Sequence, residues 1–162
     1  EEPALVNDAY HKVAFEYEQG LESSVSYFGI KGKPIIRVPA FSGDNELYAR
    51  RSLTFKALYS YDGNGGLMKE HYLDLDYKPI NNLFGFSSLN IQNDDFGHPI
   101  SYSCFDKNEN KVSCIEELQK EFSNTSEEDN LTNLRKISNR HRSDGRIELA
   151  NRVDDAIKQR LN

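Results

Sequence analysis

The chain has 162 residues, 37% hydrophobic and 28% charged, the proportions of one ordinary folded domain that buries well over half of its unfolded surface. No stretch approaches the roughly 18 to 20 apolar residues of a membrane-crossing helix, so membrane insertion is not expected, and the apolar content is too high for a disordered chain. A net charge of −6 opposes wholesale binding to nucleic acid or anionic lipid.

From Pro3 to Gln19 the residues Val6, Ala9, Tyr10, Val13 and Tyr17 recur at spacings of three and four, which predicts an N-terminal amphipathic helix ended by Gly20. Val25 to Ile30 and Pro34 to Val38 then read as two short strands around Lys31-Gly-Lys33. The strongest pattern is a hairpin over residues 47–78. Odd positions from Leu47 to Tyr61 and from Leu67 to Tyr77 carry the apolar set, and Asp62-Gly-Asn-Gly-Gly66 forms the turn. With Tyr61 opposite Leu67, that register pairs Phe55 with Leu73 and turns Tyr48, Arg50, Leu58, Glu70 and Tyr72 outward. Leu83 to Ile91 and Ile100 to Phe105 are further strands. A last hairpin is centred on Glu109, where Lys107 faces Lys111, Phe105 faces Ser113, and Cys104 pairs with Cys114 as a disulfide.

Helices return at Ile115 to Phe122, at Leu131, Leu134, Ile137 and His141, and at Ile147, Ala150, Val153, Ile157 and Leu161, with Ser143-Asp-Gly145 as the turn between the last two. The expected architecture is a single α+β domain spanning 1–162. It comprises an N-terminal helix and an antiparallel meander of five to seven strands within 1–122, an exposed linker at 123–130, and a helical pair at 131–162. No internal repeat is apparent in the residue pattern.

Few constellations carry chemistry. Asp106, Asn108, Asn110 and Glu117 match four positions of a calcium loop, but Lys111 stands where the sharp turn needs glycine, so the segment reads as a hairpin. Glu70, Asp74 and Asp76 share one strand face in the register above, the equipment of a carboxylate-dependent hydrolase, though Lys56, opposite Tyr72 and diagonal to Glu70 and Asp74, makes the face read as a solvated one with cross-strand ion pairs. The four histidines show no metal-ligand spacing, and His71 falls on the inward row. No nucleophile elbow, phosphate loop or dinucleotide fingerprint occurs, so neither a cofactor nor a metal is expected.

Charge is uneven along the chain. Residues 1–130 carry 22 acidic against 12 basic side chains, and residues 131–162 carry 4 against 8. The basic cluster Arg135, Lys136, Arg140, Arg142 and Arg146 is therefore the candidate phosphate-gripping surface, but no aromatic residue beyond Phe122 is available to stack on bases. A disulfide and a first residue other than Met suggest a secreted or periplasmic product. The function expected on these grounds is recognition of a protein partner, as by an inhibitor, an immunity-like factor or a host-interaction factor, without catalysis. Its contact row would be Tyr48, Arg50, Leu58 and Tyr72. A carboxylate-dependent hydrolase and a small nucleic-acid-binding protein using the basic helices are the alternatives.

Overall fold

The computed structural model describes residues 11–39, 49–114 and 127–161. Seven antiparallel strands follow one another across a single sheet in chain order: β1 (Lys12–Glu18), β2 (Leu21–Phe28), β3 (Lys56–Tyr61), β4 (Leu67–Leu73), β5 (Ser88–Asn93), β6 (Pro99–Phe105) and β7 (Lys111–Val112). Two helices complete it, α1 (Glu127–Ser143) and α2 (Ile147–Leu161). The α+β class and the meander are those expected from the sequence.

The expected N-terminal helix is replaced by β1 over residues 12–18, and its first half lies outside the described residues. Val13 and Tyr17 are four apart and fit either period. The alternation Val13, Phe15, Tyr17 wins because Gln19 and Gly20 both take positive φ, 52° and 83°, and return the chain as β2 against it. The expected short helix at 115–122 also lies outside the described residues. α1 begins at Glu127, inside the stretch read as linker.

The later turns share one geometry. Asp62, Asp74, Asp94 and Asp106 each accept, through Oδ1, the N–H groups of the residues two and four positions on. The residue three positions on, namely Gly65, Tyr77, Gly97 or Glu109, takes positive φ and donates its N–H to the aspartate carbonyl. Asn82 builds the same turn around Gly85. Asp62 and Asp94 are 32 residues apart, as are Asp74 and Asp106, so the same turns recur at the same interval in the two hairpins. The apolar residues of the two hairpins differ, and the turn chemistry recurs.

Three bulges displace the register. Glu16 pairs with Ser24 and Tyr17 with Glu22, leaving Ser23 extra in β2. Ser60 pairs with Lys69 and Tyr61 with Leu67, leaving Met68 extra in β4. Gln92 pairs with Ser101 and Asn93 with Pro99, leaving Ile100 extra in β6. Each extra residue switches which sequence parity faces the core. In β4, Leu67 still faces the same side as Tyr61, but from Glu70 onward the even residues point inward. The expected phase is thereby corrected: Glu70 and Tyr72 are fully buried, and His71 sits on the outer face beside Leu58. Lys56, not Phe55, pairs with Leu73.

The long strand expected from residue 47 is also shorter, beginning at Lys56. Residues 49–55 cross the inner face largely buried, helical at 49–50 and turning at 51–53, with Thr54 as inaccessible as Phe55. Their backbone groups are satisfied by Arg37, Leu73, Tyr27 and Leu83. Strand formation around Leu83 likewise gives way to the Asn82 turn.

The core joins Val25, Tyr27, Ala57, Tyr72, Leu89 and Cys104 of the sheet to Leu53, Leu83, Phe84 and Phe86 of the crossing segments. On the helices it is completed by Leu134 and Ile137 of α1 and by Leu149, Val153 and Ile157 of α2. α1 ends in a Schellman cap, with Gly145 at φ 75° donating to Arg142 and Arg146 donating to His141. The buried His141 imidazole then donates from Nε2 to the Leu83 carbonyl at 2.8 Å, fastening α1 to the Asn82 turn. Gly85, at φ 92°, lies so close that a Cβ there would stand 2.3 Å from the Arg146 guanidinium and 3.1 Å from the His141 ring.

Candidate functional site

The inner face of the sheet carries a buried polar cluster that the bulges assemble. The extra Ser23 places Glu22 on the side opposite Ser24, and the extra Met68 does the same for Glu70. Each carboxylate then meets an arginine from the crossing segment. Arg50 binds Glu70 with two hydrogen bonds, Nε at 3.0 Å and Nη2 at 2.7 Å. Arg51 reaches Glu22 at 2.8 Å, donates to the Tyr59 hydroxyl at 2.5 Å, and lies over the Tyr59 ring. The Tyr72 hydroxyl donates to Glu70. Arg37 donates to Ser52 at 2.6 Å and stacks on Tyr27.

Burial raises the phenols of Tyr59 and Tyr72 far above the ordinary tyrosine range, with the nearby Glu70 charge adding to it. Burial opposes the Arg51 charge, but Tyr59, Tyr27 and Glu22 hold the guanidinium protonated. Glu70 is held by a guanidinium fork and a phenol. The cluster therefore anchors the 49–55 segment to the sheet.

The remaining residues singled out from the sequence are scattered. Tyr48 lies outside the described residues. Arg50 and Tyr72 belong to the buried cluster, so they are not open to solvent as the outward row required. Leu58 alone of the described residues of that row stays on the exposed face. Asp74 and Asp76 sit in the turn after β4 while Glu70 points into the core, so the three carboxylates do not share a face. Asp106 caps a hairpin turn in place of a calcium loop.

Cys104 and Cys114 form a disulfide with Cα atoms 5.2 Å apart. The ladder pairs Cys104 with Val112 and Phe105 with Lys111, so the bridge runs diagonally from the strand and not between directly opposed residues. The turn is centred one residue earlier than expected.

In the basic cluster Arg140 pairs with Asp144 at 3.2 Å and Arg142 with Asp154 at 2.6 Å, while Arg146 turns toward Gly85. Arg135 and Lys136 are exposed on α1. Much of the cluster's charge is thus matched within the helical pair.

A second feature was not read from the sequence. The extra residues Met68 and Ile100 remain exposed, and with them Phe96, which is 78% exposed, and Tyr102. Met68 and Ile91 line a shallow hollow of about 540 Å³ with Asp62, Asp94 and Asp95, and Ile91 pairs with Tyr102. Hydrogen bonds from Asn93 to Asp62 and from Asn64 to the Asp95 carbonyl lock the two turns side by side. The Asn93 side chain lowers the pKa of Asp62, and the His98 N–H lowers that of Asp94, so both stay ionised. Met68 and Ile91 thus line a hollow with an acidic rim, and Phe96, Ile100 and Tyr102 are exposed on the same pair of hairpins. The 32-residue recurrence of the Asp turns, each followed by an unpaired apolar residue, is the signal that could have found it.

Among the described residues no helix is long and apolar enough to cross a membrane, and no group of acidic, histidine or cysteine side chains is arranged to hold a metal ion. Comparison of the chain with protein families, with curated proteins and with solved structures gave no match.

Proposed function

We propose that the protein acts by recognising another protein outside the cytoplasm, as an inhibitor, immunity-like or host-interaction factor does, and that the contact is the patch of Met68, Phe96, Ile100 and Tyr102. The observation that carries this reading is the exposure of four large apolar side chains around one rigid hairpin pair, where solvent contact serves no folding purpose. Aromatic side chains with a polar rim are the usual anchors of protein interfaces. Ionised Asp62 and Asp94 with Asp95 favour a partner whose rim is basic. The Cys104 to Cys114 bridge supports an oxidising compartment.

Affinity capture by the native protein, run beside a Phe96→Ala/Tyr102→Ala variant of equal thermal stability, tests the proposal. A partner held by the native protein should be lost by the variant, each substitution weakening binding by about 1 to 3 kcal/mol. Partners retained equally by both forms, but released by moderate salt and by Arg140→Ala or Arg142→Ala, would instead place recognition on the helices and favour the nucleic-acid reading.

A further inference from the structure

We infer that the outer edge of β1 is a self-association surface, whose occupant is the same edge of a second copy of this chain. The two ends of the sheet differ. β7 is only two residues long and begins with Lys111, a blunted edge that resists pairing. β1 is seven residues long, carries no extra residue of its own, and has no described strand on its outer side. Phe15 and Tyr17 on it are 41% and 65% exposed.

The sequence of this edge is complementary to itself. When two copies of Lys12-Val-Ala-Phe-Glu-Tyr-Glu18 run antiparallel about a two-fold axis at Phe15, Lys12 of each copy faces Glu18 of the other, Val13 faces Tyr17, Ala14 faces Glu16, and Phe15 faces Phe15. Unlike charges meet at both ends and apolar side chains meet between them. Side-chain alternation separates the sets: Val13, Phe15 and Tyr17 join on the inner face, and Lys12, Ala14, Glu16 and Glu18 on the outer.

Backbone parity agrees with this register. The Tyr27 N–H donates to the Phe55 carbonyl on the β3 side, so in β2 the residues that bond β1 are Ser24, Ser26 and Phe28, the ladder partners of Glu16, Ala14 and Lys12, and the N–H groups of Val13 and Phe15 point out. Phe15 of each copy is then the hydrogen-bonded pair on the axis, and Ala14 meets Glu16 at the non-hydrogen-bonded sites on either side of it. The contact is isologous and closes as a dimer with one continuous 14-stranded sheet, twice the seven strands of one chain. It is separate from the Met68, Phe96, Ile100 and Tyr102 patch, so either conclusion can fail alone.

Sedimentation velocity of the native protein over a concentration series, with Lys12→Glu and Glu18→Lys variants, tests the inference. Both side chains are exposed, so the variants should retain the native circular dichroism and melting curve. The native protein should reach twice the chain mass, and each single variant, which places like charges opposite one another twice per dimer, should dimerise about tenfold more weakly. An equimolar mixture of the two variants restores both charge pairs in a heterodimer and should regain the native affinity. A native protein that stays monomeric overturns the inference, as does a dimer indifferent to both substitutions, or a loss that mixing does not repair.

Discussion

Arg50 grips Glu70 with two hydrogen bonds across the β4 face, and the Tyr72 hydroxyl closes the same carboxylate from the side. Glu70 is fully buried, so its charge depends on that grip. Replacing Arg50 by Met should therefore cost about 3 to 5 kcal/mol in denaturant unfolding, the usual penalty for stranding a buried charge. The triple variant Arg50→Met/Glu70→Leu/Tyr72→Phe removes both charges and the phenol hydroxyl together and should recover most of the loss. Equal losses in the single and triple variants would show that the set does not act as a unit.

The bulge at Met68 makes a separate prediction about phase. Tyr72→Asp should destabilise the fold drastically by burying an unpaired charge, and His71→Asp on the outer face should cost far less. Thermal melts of the two variants distinguish this from an unbroken alternation through residues 67–77, which requires the reverse order.

Close approach of the two repeated hairpins fixes Gly66. A Cβ there would lie 2.6 Å from Asp62 Oδ2 and 2.6 Å from the Gly97 carbonyl, whereas one at Gly63 meets nothing within 4 Å. Gly66→Ala is expected to cost about 1 to 3 kcal/mol, as other overpacked sites do, and Gly63→Ala very little. Parallel urea titrations measure the contrast.

Acid should act first through His141. Its Nε2 hydrogen donates to the Leu83 carbonyl, and Nδ1 is buried with no partner among the described groups. Burial lowers the pKa of His141, with the Leu83 bond offsetting part of the shift, and burial also lowers that of His71. A base whose folded pKa is depressed binds a proton more readily when unfolded. Stability should thus be full above the ordinary histidine value of about 6.5 and decline as pH falls below it. His141→Gln should flatten the dependence of the urea midpoint between about pH 7 and 5, with His71 supplying what remains. An unaltered slope would assign the effect elsewhere.

Reducing the Cys104 to Cys114 bridge opens a short loop of sequence separation 10. The chain-entropy argument gives about 2 to 3 kcal/mol for such a loop. Hydrogen exchange after reduction should accelerate at β6 and β7 before the rest of the sheet, because those strands hold the loop.

The sequence by itself determined the composition of the layers: strands along most of the first two thirds, a turn at Ser143-Asp-Gly145, two C-terminal helices with Leu134, Ile137, His141, Ala150, Val153 and Ile157 inward, and the cysteine pairing. These depend on local periodicity and on turn chemistry, which neighbouring residues settle among themselves. Tertiary structure decided the rest. Whether Val13 and Tyr17 belonged to a helix or a strand depended on β2 being there to pair with them. Whether Glu70 and Tyr72 faced water or the core depended on one unpaired residue, Met68, that alternation alone cannot reveal. Arg50 and Arg51 then became core residues because two bulged strands, far from them in sequence, turned Glu70 and Glu22 to meet them. A buried charge is stable only beside its counter-charge, and that proximity exists only in the folded chain.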